Sequence, residues 1–88
     1  DQGAVSVLQK VGKSLLSVGV LSVVGSFRRG DMVSCEDENG LEIARGLVNY
    51  DAVDTQKIKR LPSKSIQSVL GYCHEPELIH RDNLVLIS

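Results

Sequence analysis

The chain has 88 residues, 42% of them hydrophobic and 24% charged, which is enough to enclose one modest core and too few for a second domain or a deep, water-excluding catalytic cleft. Ten Lys and Arg against eleven Asp and Glu leave a formal charge of -1, which argues against a dedicated nucleic-acid binder with its basic excess. The charge is unevenly spread: Glu36, Asp37, Glu38 and Glu42 cluster in one segment, and Lys57, Lys59, Arg60 and Lys64 in a later one.

In chain order, Val5, Leu8 and Val11 fall at helical spacing and predict a short helix over Gly3 to Lys10, ending near Gly12. Leu15 to Phe27 is dense in Val and Leu but broken by Gly19 and Gly25, which predicts two short strands around a bend. Arg28-Arg29-Gly30-Asp31 reads as a polar turn. Met32, Val33 and Cys35 then lead to Asn39-Gly40, the signal for a two-residue type I′ hairpin, with a return strand over Leu41 to Asn49 and a bulge at Gly46. Asp51 or Asp54 caps a helix carrying Val53, Lys57 and Ile58. Pro62 breaks the chain before a second helix, Ser63 to Leu70, with Ser63 as N-cap, Ile66, Val69 and Leu70 as its apolar stripe and Gly71 as C-cap. The tail, Leu78 to Ile87, returns as a buried strand. Together these elements predict a small mixed barrel, mainly β, of short strands with two or three short helices. Its expected core is Val20, Val23, Phe27, Val33, Ile43, Leu47, Ile66, Leu70, Leu84 and Leu86.

Several motifs that carry chemistry in other proteins have plainer readings in this sequence. His80-Arg81-Asp82-Asn83-Leu84 is similar to a protein-kinase catalytic loop, but the metal-binding Asn should follow the Asp by five residues, where Ile87 stands, and no Gly-rich phosphate loop or paired strand Lys accompanies it. Arg29-Gly30-Asp31 spells an adhesion tripeptide, yet a tight turn with Gly30 at positive φ and Asp31 accepting backbone N–H bonds accounts for it. Cys35, Cys73, His74 and His80 lack the spacing of a zinc site, so both thiols are expected reduced and metal-free. No signal peptide and no apolar run of about 18 residues is present, and the chain reads as cytoplasmic, without a membrane partner.

Four stretches carry a resemblance that runs nearly end to end. They are Gly12-Lys13-Ser14-Leu15-Leu16 with Gly19-Val20; Gly25 to Val33; Ile43 to Tyr50; and Leu70-Gly71-Tyr72 with Ile79 to Leu86. In these the sequence resembles the PUA domains at the C-terminal end of bacterial glutamate 5-kinases. The G-x-F-x-x-G-D-x-V and I-A-R-G elements are shared by PUA domains generally, whereas L-G-Y and I-H-R-D-N-L-V-L are more particular to the kinase. Ser17 departs from the family's usual Pro, and Arg60-Leu61-Pro62 replaces a Gly-containing turn.

The resemblance implies a PUA-like pseudo-barrel spanning residues 1–88 as a single domain, with an amino-acid kinase domain upstream that carries the ATP and Mg²⁺ sites. The implied parent phosphorylates L-glutamate in proline biosynthesis. For this chain it implies an accessory or regulatory module with no catalytic residue and no cofactor or metal of its own. Its partners would be its own kinase domain and other subunits. The alternative is an RNA-binding PUA module, for which the family's groove brings forward Lys10, Lys13, Arg28 and Arg29 as phosphate contacts.

Overall fold

The computed structural model describes residues 3–8 and 13–87. Five strands make one mixed sheet: β1 (Ala4–Val7), β2 (Val20–Val24), β3 (Met32–Glu36), β4 (Glu42–Leu47) and β5 (Leu84–Leu86), in the spatial order β2-β1-β3-β4-β5. β1 runs parallel to β3, and the other pairings are antiparallel. Two helices, α1 (Ala52–Ile58) and α2 (Ile66–Leu70), are joined by a turn, and single 3₁₀ turns precede β2, α2 and β5.

The first segment is a strand, not the expected helix. Its residues alternate, with Val5 and Val7 buried and Ala4 and Ser6 half-buried, so a period of two outweighs the helical spacing that would have paired Val5 with Leu8, which is 50% exposed. Between β2 and β3 the segment buries both valines, and a central sheet position satisfies its backbone on both sides. The expected helix end near Gly12 lies outside the described residues. Leu15 to Phe27 holds one strand rather than two: Leu15 makes an isolated antiparallel bridge to Ile79, a 3₁₀ turn covers Ser17–Gly19, and β2 follows.

The β3–β4 hairpin is wider than the sequence suggests. Only Gly40 takes a positive φ, +81°, whereas type I′ would require Asn39 to do so as well. Gly40 N–H donates to Asp37 O at 2.9 Å, and the Asp37 carboxylate accepts from Asn39 N–H (2.9 Å) and Leu41 N–H (3.0 Å). A short aspartate that ties down its own loop has displaced the two-residue turn. The bulge falls at Cys35/Glu36 and not at Gly46, which pairs regularly with Val33 and Leu84. Gly46 serves a close approach instead: a Cβ there would stand 2.6 Å from Ile79 Cγ2 and 2.8 Å from the Asn83 carbonyl oxygen.

Asp51 caps α1, its carboxylate accepting from Asp54 N–H at 2.8 Å, and Thr55 and Ile58 form its buried face. Ser63 does not cap α2. It opens a 3₁₀ turn after Pro62, and its hydroxyl donates to Pro76 O at 2.6 Å, while Gly71 closes α2 at φ +84° as expected. Of the anticipated stripe, Ile66 is buried and Leu70 packs on the core, but Val69 is 43% exposed.

The core confirms Val20, Phe27, Val33 and Ile66, with Val23, Ile43, Leu70 and Leu84 packed against it. Leu47 and Leu86 are exposed: Leu47 points to the outer face of the sheet, and Leu86 lies in β5, an edge strand rather than a buried one. Their places are taken by Leu78 and Ile79, fully buried just before β5, and by Tyr50 and Ile58.

Candidate interaction surfaces

The polar turn before β3 forms as expected. Arg28 N–H donates to the Asp31 carboxylate at 2.8 Å, Asp31 N–H returns to Arg28 O at 3.0 Å, and Gly30, at φ +93°, donates to Val48 O at 2.7 Å. Asp31 is thereby consumed by its own turn, and the side chains of Arg28 and Arg29 are left exposed, with no ion-pair partner among the described residues. Lys13 is exposed as well, one residue before Ser14, whose hydroxyl accepts Arg81 N–H at 3.2 Å, so it sits beside the turn leading into β5. Lys10 lies outside the described residues. No hydrogen bond or ion pair joins Lys13 to the Arg28-Arg29 turn.

The kinase-like motif is a capped turn. His80 Nδ1 accepts Asp82 N–H at 3.1 Å, Asn83 N–H donates to His80 O at 2.8 Å, and the Asp82 side chain faces solvent. Four other carboxylates serve similar local ends: Asp37 and Asp31 hold turns, Asp51 caps α1, and Glu42 makes a bidentate pair with Arg45 (2.9 and 3.0 Å) that holds the Glu42 carboxyl below its ordinary range. Among the described residues no three His, Cys, Asp or Glu side chains converge as a metal-binding group.

An aromatic staple fixes residues 72–77 to the helical side of the fold. The buried Tyr50 hydroxyl donates to Glu75 O and accepts Glu75 N–H at 3.1 Å, with Cys73 Sγ 3.5 Å away. Burial, then the Cys73 contact, pushes the Tyr50 phenol up. His74 lies between Tyr50 and Tyr72, with ring centroids 5.3 and 4.8 Å apart, and Tyr72 donates to the Asp54 carboxylate, which pushes its phenol up to about 12. Cys73 is exposed, and Cys35 is buried in the sheet with its thiol pushed up to about 12, first by desolvation and then by the charge of Glu42.

A groove that the sequence did not reveal opens between β2 and α1. It encloses about 430 Å³ and is lined by Val23, Gly25, Ser26, Ala52, Val53, Gln56 and Lys57. α1 turns Thr55 and Ile58 inward, so Val53, 64% exposed, and Lys57 project outward one helical turn apart. The only signal for it was a valine on what should be the solvated face of a short helix.

A mixed five-stranded sheet with two short helices packed beside it is the architecture of a PUA module, and the chain belongs to the PUA domain family, whose model matches residues 1–70. It is 60% identical over 87 residues to the glutamate 5-kinase of Pseudomonas putida (strain GB-1), covering 99% of this chain and 23% of that protein. The glutamate 5-kinase of Methylococcus capsulatus is 60% identical over 86 residues, covering 98% of this chain and 23% of that protein. The match falls in the C-terminal region of these kinases, so the chain spans about a quarter of the curated relatives it matches. A crystal structure of a PUA domain from Aeropyrum pernix K1, in a tartrate complex, aligns with a TM-score of 0.63 at 23% identity, covering 91% of this chain and 41% of that one, which shows the shared fold.

Proposed function

We propose that this chain is the accessory, regulatory PUA domain of a glutamate 5-kinase, a single unit over its 88 residues that works in the cytoplasm. The observation that carries the proposal is 60% identity over 99% of the chain to a named glutamate 5-kinase. In such an enzyme ATP and Mg²⁺ supply the phosphoryl transfer to the side-chain carboxylate of L-glutamate, the opening step of proline biosynthesis, at the amino-acid kinase domain. That step falls to the kinase domain and this chain takes an accessory part in it, with Asp31, Asp37 and Asp51 spent on turns and a cap and Glu42 on an ion pair. Its partners are then its own kinase domain and neighbouring subunits. No helix among the described residues is long and apolar enough to cross a membrane.

RNA binding is supported by one observation, the two exposed arginines at the Arg28-Arg29 turn, which have no ion-pair partner among the described residues. Against it stand a net charge of -1 and only three aromatic side chains, two Tyr and one Phe, for stacking bases. The deciding experiment deletes these residues from the full-length kinase. A regulatory role is expected to appear as altered glutamate or ATP affinity, proline inhibition or oligomeric state. Loss of thermal stability alone, with those properties kept, would make the domain a structural prop.

A further inference from the structure

We propose that the groove between β2 and α1 receives an extended, acidic and apolar peptide segment, which adds to the sheet as a sixth strand along the free edge of β2. β2 ends the sheet, and beyond its ladder with β1 no backbone N–H or C=O of residues 21–26 has a protein partner among the described residues. An unpaired edge is a template for another strand, and here it lies beside a helix whose exposed apolar side chain overhangs it. Five residues of β2 give a seat of about 17 Å, the length of five extended residues in a guest.

The lining selects the guest's side chains. Val23, Ala52 and Val53 supply an apolar floor and wall, so alternate residues of the guest are expected to be apolar. Lys57 stands at the groove without an ion-pair partner among the described residues. The one carboxylate beyond the N-cap on its helix, Asp54, is held by Tyr72, and Lys59, Arg60 and Lys64 follow closely in the chain. A carboxylate on the guest therefore meets Lys57, which no acid opposes among the described residues, and a basic guest would be repelled by it.

The test is an amide NMR titration of this 88-residue chain with an acetylated, amidated heptapeptide alternating valine with aspartate and glutamate; because no kinase takes part, its outcome is independent of the deletion experiment. Shifts are expected in residues 21–26 and at Val53, Gln56 and Lys57. Lys57→Glu should weaken binding about fivefold and let the lysine-substituted version of the peptide bind instead. Val53→Asp should weaken it about tenfold, and since Val53 is 64% exposed, an unchanged melting curve confirms that the fold survives. N-methylating the guest on one alternate set of amides should abolish binding, and on the other set leave it intact, because only one set faces the edge. The inference is overturned by an absence of shifts at millimolar peptide, by equal binding of the acidic and lysine-substituted peptides, or by indifference to N-methylation. A single-stranded RNA oligonucleotide that shifts the same amides at lower concentration than the peptide would overturn it too.

Discussion

Replacing Gly46 by Ala tests whether close approach, and not backbone freedom, fixes glycine in β4. The new Cβ would lie 2.6 Å from Ile79 Cγ2, 3.2 Å from Ile79 Cδ1 and 2.8 Å from the Asn83 carbonyl. Neither neighbour yields easily. Ile79 is fully buried and exchanges backbone hydrogen bonds with Leu15, and Asn83 belongs to the turn that aims β5 at β4. Overpacking of this kind costs about 1–3 kcal/mol. Removing glycine's freedom from the unfolded chain offsets about 0.4–1 kcal/mol of that. At mid-range a net loss of about 1.3 kcal/mol corresponds to a fall in melting temperature of roughly 5–10 °C for a domain of this size, read by circular dichroism or calorimetry. Gly19→Ala is the control, because its Cβ would meet only Leu15 Cδ1, at 3.9 Å, and it should melt at or slightly above the parent. If Gly46→Ala melted with the parent, the packing of the 78–83 segment on β4 would be wrong.

Other outcomes follow from the same geometry. Gly40→Val should cost about 1–2 kcal/mol from left-handed strain alone, since open space surrounds the position at φ +81°, and a parental melting temperature would contradict the turn described. Ser17→Ala should lower stability by about 1–2 kcal/mol in denaturant titration, because the buried hydroxyl donates to Leu61 O at 2.7 Å and its loss orphans that carbonyl. Ellman's reagent should titrate Cys73 rapidly in the native protein and Cys35 only after unfolding; two fast thiols would show the sheet is open at β3. Folding keeps the Cys35 proton that an unfolded chain sheds above its ordinary 9.0, so stability should hold below that pH and decline as pH rises toward about 12, at most about 1.4 kcal/mol per pH unit from this group. The raised Tyr50 and Tyr72 phenols act in the same direction, so Cys35→Val should shallow that alkaline slope without abolishing it.

What the sequence made legible was local. Asp51, Gly71 and Asp31 each act on backbone within a few residues, and their chemistry is the same whatever packs around them, so cap, C-cap and turn came out as expected. Asn39-Gly40 failed for an equally local reason, because Asp37, upstream of the pair, competes for the same backbone. The larger misses depend on partners distant in sequence. Val5 and Val7 can lie in a strand or on a helix until β2 and β3 exist to flank them. The tail reads as one buried strand from Leu78 to Ile87, yet only Leu78 and Ile79 are buried, enclosed by Leu15, Asn49 and Gly46, while the more regular Leu84-Val85-Leu86 forms the strand and is left on an edge.

The groove at Val53 and Lys57 was hidden for the same reason, since a concavity belongs to two elements and neither residue advertises the other's strand. The two departures from the family pattern teach the converse. Ser17 and Arg60-Leu61-Pro62 looked unrelated, 43 positions separating the first two in the numbering, yet Arg60 N–H donates to Ser17 O at 2.9 Å, Ser17 Oγ donates to Leu61 O, and the Arg60 guanidinium reaches Val18 O at 3.0 Å. A proline at residue 17 would have no hydroxyl for that carbonyl, and Arg60, at φ +69°, occupies backbone that a glycine would adopt without strain. The hydroxyl and the guanidinium supply to the turn the hydrogen bonds that a proline and a glycine could not, so the two differences act as one exchange in which side-chain bonding replaces backbone preorganisation.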